Sequence, residues 1–130
     1  SVMLTWAGGE HLFKLGFGAL RKVQEATDCG PQFLLNRLRD GSWRVDDIVE
    51  PIRWGLVGGG LAIAEANKLV KQFVHDTPLY QHTLTAQAVL LAALVGANDE
   101  PLTDTESPKA EAATASQGEN LPSPPSINQD

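Results

Sequence analysis

The chain has 130 residues, 42% of them hydrophobic, and a net charge of −6, which suits one small domain with a core and excludes two full domains. The charge is uneven: residues 1–100 balance nine Lys or Arg against eleven Asp or Glu, whereas residues 101–130 balance one against five. A nearly neutral body with an acidic end lacks the basic footprint that nucleic acid or an anionic membrane requires, and the single cysteine, Cys29, excludes an intrachain disulfide.

Val2–Thr5 favours a strand, Ala7-Gly8-Gly9-Glu10 carries a Gly-Gly turn signal, and Leu12–Leu15 reads as the returning strand of a β-hairpin. A first helix is expected over Gly18–Asp28, with Leu20, Val23 and Thr27 on one narrow stripe and Gly30-Pro31 ending it. A second follows over Pro31–Asp40, with Phe33, Leu34, Leu35 and Leu38 inward and Gly41 closing it. Asp46 is the expected N-cap of a third helix, whose apolar residues are Ile48, Val49, Ile52 and Leu56. Pro51 inside it should kink the helix or delay its start. Gly58-Gly59-Gly60 ends it. A fourth helix is expected from Ala62 to Val74, with Ile63, Ala66, Leu69, Val70 and Phe73 on one face, followed by a loop at His75–Pro78.

The fifth helix, Leu84–Val95 with Thr83 as N-cap, has almost no polar face, so it is either buried or covered by a partner. It is too short to span a bilayer, and the start of the chain shows no signal-peptide pattern, so the expected address is the cytoplasm. From Asn98 the composition turns to Pro, Ser, Thr and Glu and cannot offset the entropy of ordering. The fold class is therefore mainly α: an N-terminal β-hairpin and about five helices in a small bundle over residues 1–97, then a disordered acidic tail over 98–130.

Chemical motifs are weak. After Gly58-Gly59-Gly60 comes Leu61-Ala62, where a phosphate loop needs Lys-Ser/Thr. Gly16-Phe17-Gly18-Ala19-Leu20-Arg21 lacks the third glycine of a dinucleotide fingerprint. His11, His75 and His82 are scattered and read as surface residues, and Cys29 as a packed thiol. Asp46, Asp47 and Glu50 gather where a helix N-terminus attracts acids. No catalytic residue, cofactor or metal is expected. Trp6, Trp43 and Trp54 exceed the needs of so small a core. Trp43 beside Arg44 is either an interface anchor or packed on the third helix. The expected protein-binding surface comprises Trp43, Arg44, Trp54 and the turn Gly58, Gly59, Gly60.

Several segments carry a family pattern: Leu15-Gly16-Phe17-Gly18-Ala19-Leu20, Asp40-Gly41-Ser42-Trp43-Arg44-Val45-Asp46-Asp47, Gly55-Leu56-Val57-Gly58-Gly59-Gly60, Pro78-Leu79, and the run from Ala86 to Gly96. With them the chain resembles the gene transfer agent family of phage-type tail proteins, whose members are labelled tail tube proteins and are better regarded as tail assembly chaperones. The resemblance covers the hairpin and all five helices. It implies a non-enzymatic protein that binds the tape-measure protein, the tail tube protein or both before assembly, and it leaves self-association open. Three rivals stand beside it: a structural tail component retained in the particle, an enzyme with a site assembled from distant residues, and, against the charge balance, a DNA-binding regulator.

Overall fold

The computed structural model describes residues 1–96; the boundary at 97/98 and the expected tail at 98–130 lie outside them. Strands β1 (Val2–Trp6) and β2 (Gly9–Phe13) pair antiparallel, with Val2 opposite Phe13, Leu4 opposite His11 and Trp6 opposite Gly9. The second strand starts at Gly9 rather than Leu12, because two residues, Ala7 and Gly8, make the turn and Gly9 takes the positive φ of 110° that follows it. Along β1, Val2, Leu4 and Trp6 lie more buried and Met3 and Thr5 are exposed, the alternation of a one-faced sheet. Trp6 is a core residue. Its ring meets Phe13 edge-on at 5.8 Å and Phe73 at 6.4 Å between centroids.

Helix α1 (Phe17–Thr27) buries Val23 and Thr27, and the Thr27 hydroxyl donates to the Val23 carbonyl at 2.8 Å. It ends at Asp28, held at φ 57°, ψ 37°, with the Asp28 N–H bonded to the Gln24 carbonyl. Asp tolerates this left-handed conformation, so the helix stops before Gly30-Pro31. Gly30 instead stands at the N-cap position of α2 (Pro31–Asp40). Leu34, Leu35 and Leu38 of α2 are buried as expected, but Phe33 is 57% exposed. A helix that turns Leu34, Leu35 and Leu38 inward rotates Phe33 out of that arc, and its ring lies 5.2 Å from the Arg37 guanidinium.

Helix α3 (Val45–Gly58) is the centre of the core, packing against α1, α2, the hairpin and the later helices. It runs unbroken through Pro51, which is buried and donates nothing to the Asp47 carbonyl. Its N-cap position is Arg44, not Asp46. The Asp47 carboxylate, three residues on, accepts the Arg44 N–H at 2.8 Å, while Asp46 is exposed in the first turn. Helix α4 (Ile63–Val70) passes into a π turn (Lys71–His75), so the expected helix over 62–74 changes pitch at Lys71. Ala66, Val70 and Val74 are buried, while Ile63, expected inward, is 51% exposed at the helix start.

A 3-10 turn (Leu79–His82) leads into α5 (Thr83–Val95), with Thr83 inside the helix and His82 at the N-cap position. His82 is buried rather than on the surface. Its Nε2 lies 2.6 Å from the Thr77 hydroxyl, and burial lowers its pKa below the ordinary 6.5. His75 is exposed as expected, and His11 accepts the Trp6 indole N–H on Nδ1 at 2.9 Å.

Candidate protein-binding surface

The six residues singled out in the sequence do not converge. Trp43 and Arg44 precede the N-terminus of α3, and Gly58–Gly60 lie at its C-terminus. A helix of 14 residues separates the two groups by about 21 Å. Trp43 is half-buried between α2 and α3, with the Tyr80 ring edge-on at 5.6 Å. The Arg44 side chain, 55% exposed, donates through Nη2 to the Thr27 carbonyl and so ties the start of α3 to the end of α1. Trp54 is half-buried on α3. Its indole N–H donates to Glu50 Oε1 at 3.1 Å, and the Lys22 ammonium sits 5.8 Å from its ring.

The glycine turn serves the fold. A Cβ on Gly58 would stand 1.8 Å from the Lys14 carbonyl oxygen, and one on Gly59 would stand 1.9 Å from that of Leu12. Only hydrogen fits where β2 crosses the end of α3, and the Lys14 N–H completes the join by donating to the Gly55 carbonyl at 2.9 Å. Gly60, at φ 117°, turns the chain toward α4.

The acidic cluster is likewise internal. Asp47 is fully buried and accepts from Arg37 Nη2 at 2.9 Å as well as from the Arg44 N–H. Burial works against the Arg37 charge, but the hydrogen bond and charge of Asp47 outweigh it and raise the guanidinium's pKa. The same Nη2 lies 3.0 Å from Cys29 Sγ, which packs the thiol between α1 and α2. Glu50 pairs with Arg53 and Trp54. Among the described residues, no three His, Cys, Asp or Glu side chains gather to hold a metal, and no helix is long and apolar enough to cross a membrane.

A surface outside those six residues lies on α5. That helix buries Ala86, Val89 and Leu90 but turns Leu84 (75% exposed), Leu91 (38%) and Val95 (73%) outward. With half-buried Ala88 these fall at i, i+4, i+7 and i+11, one continuous apolar stripe. Beside the stripe, Val2 and Leu4 of β1 and Ala88, Leu91, Ala92 and Val95 of α5 line a cleft of about 250 Å³. The signal was present in the sequence as a helix with no polar face; which arc is covered internally depends on the packing against α2 and α3. A second apolar feature joins Phe17 (81% exposed), Leu20 and Pro31 across the start of α1 and α2, with Arg21 6.0 Å from the Phe17 ring. Surfaces of this kind offer apolar area and few fixed polar groups.

A family model described as phage tail tube protein, GTA-gp10, matches residues 1–96. No curated protein and no solved structure matches the chain. The matched span covers the hairpin and all five helices. The chain therefore belongs to the gene transfer agent family of phage tail tube proteins, and its function is tail-related.

Proposed function

We propose that the protein is a non-enzymatic tail assembly chaperone that holds the tape-measure protein, the tail tube protein or both before assembly. The observation that carries this reading is the uncharged, solvent-facing stripe Leu84–Ala88–Leu91–Val95 beside the β1 cleft. A tape-measure or tube subunit awaiting polymerisation exposes apolar surface, and a stripe without charges meets such surface with no cost of desolvating ions. The hairpin is the only sheet among the described residues. Two strands supply little of the large sheet expected of a tube wall, which favours an assembly factor.

A second reading has its own support. The family's description names a tail tube protein, so a component retained in the particle is the alternative. Tagged chain co-expressed with the tape-measure and tail tube proteins encoded beside it separates the two, when purified particles are probed for the same chain. Capture of a soluble partner, with no chain in particles, is the expected result. A fixed copy number in particles establishes the structural component instead. Capture of neither partner, with none in particles, removes both.

A further inference from the structure

The outer edge of β1 carries a pairing code that follows from the register. On β2, Lys14 donates its N–H to Gly55, and the Leu12 and Lys14 carbonyls lie against Gly59 and Gly58. Even-numbered residues of that segment therefore point their backbone groups away from β1. In an antiparallel pair, opposed residues share this orientation. Met3 lies opposite Leu12 and Thr5 opposite Glu10, so the N–H and C=O groups of Met3 and Thr5 point outward from β1. Among the described residues, β2 is the only strand paired with β1, so this edge has no strand partner. Exposed edges are ordinarily blunted by charge, proline or a bulge; Val2-Met3-Leu4-Thr5-Trp6 has neither charge nor proline, and its register is unbroken.

We infer that this edge pairs with β1 of a second copy, giving a two-fold dimer with a continuous four-stranded antiparallel sheet. The edge is self-complementary. A two-fold axis through Leu4 sets Met3 of one copy opposite Thr5 of the other, and these are the residues with outward backbone groups. It sets Leu4 against Leu4 as a close, non-hydrogen-bonded pair on the face that lines the α5 cleft. Neither β1 nor α5 contains a charged residue, so the two copies meet without like-charge repulsion. The same operation sets the two apolar clefts side by side, and a four-stranded sheet exceeds the two-strand hairpin that is marginal alone. The inference uses the α5–β1 surface but needs no tail partner.

The test is the mass of the purified full chain in solution across a concentration series, alongside two variants. The expected mass doubles from 13.9 kDa as concentration rises. Thr5→Pro removes one outward N–H in each copy and should weaken the dimer by about tenfold to a hundredfold, with far-UV circular dichroism and tryptophan emission confirming the fold. Leu4→Cys in a Cys29→Ser background should form a disulfide-linked dimer, because Cα atoms about 4.5 Å apart fall within disulfide span. Thr5→Cys in the same background, out of register with its own copy, should not. A monomer at every concentration overturns the inference. So does a dimer that ignores Thr5→Pro and gives no link at position 4. A monomeric chain whose Thr5→Pro variant loses capture of a tail protein also overturns it, assigning the edge to a strand of that protein. Failure to capture any tail protein leaves the dimer standing, so the two readings fail separately.

Discussion

Helices α3 and α5 reverse the usual relation between charge and burial. Helix α3 contains Asp46, Asp47, Glu50 and Arg53 among 14 residues and still buries eight of them, Asp47 and Glu50 included. Helix α5 contains no charged residue among 13 and buries three. The first can sit at the centre because its acids are matched: Asp47 by Arg37 and the Arg44 N–H, Glu50 by Arg53 and Trp54. The second lies at the edge of the same bundle, and its remaining apolar arc faces outward because no element of residues 1–96 covers it. Hydrophobicity beyond what the core takes up is the feature on which the proposed docking surface rests.

The contrast is sharpest at Asp47. Asp47→Ala leaves Arg37 half-enclosed without its partner and removes the cap on α3. It should lower unfolding stability by about 3 kcal/mol or more, read from urea midpoints followed by tryptophan emission. An unchanged midpoint would mean that α3 is not the electrostatic anchor of the bundle.

Gly58→Ala comes next. The added carbon must displace the Lys14 carbonyl, so the hairpin shifts off α3 at a cost of about 1–3 kcal/mol, with a matching loss of amide-exchange protection in β2. Trp43→Ala removes a half-buried ring and its edge contact with Tyr80, and should cost about 1 kcal/mol in the same urea assay.

His82 supplies a pH dependence. Its folded pKa lies below the unfolded value of 6.5, so the unfolded chain binds the proton more readily. Its contribution to stability is complete above pH 6.5, is lost as pH falls from there through the folded pKa, and is level below it. Comparing midpoints across that range for the natural chain and His82→Gln isolates the effect: the substitution should flatten this part of the profile.

On α5 the expectation turns around. Leu84→Ser and Val95→Ser should change stability by no more than about 0.5 kcal/mol. A large loss would show that the stripe belongs to the core.

Much of this contrast is legible in the sequence. The hairpin, the α2 core residues Leu34, Leu35 and Leu38, the Gly41 stop and the apolar side of α3 all follow from local turn chemistry and period. What was misread depended on tertiary packing. Phe33 and Ile63 look like core residues by type, but Phe33 falls outside the arc that α2 turns inward, and Ile63, although on the buried face of α4, stands at its exposed first turn. His82 looks like a surface residue until Trp6 and Thr77 close over it. Gly58 and Gly59 look like a helix-ending turn open to a partner, yet the carbonyls that require them come from Leu12 and Lys14, more than forty residues earlier. The expected binding residues were chosen by type, so they scatter along α3. The α5 surface was half-legible: its lack of a polar face implied cover, but not which arc would be left for a partner.

The most direct test of the central claim is Leu91→Lys, measured for both unfolding stability and capture of co-expressed tape-measure and tail tube proteins. The account predicts a folded variant with stability close to the natural chain and with capture lost, because a charge now stands in the middle of the apolar stripe. A folded variant that captures its partner as well as the natural chain would contradict the claim that α5 is the docking surface.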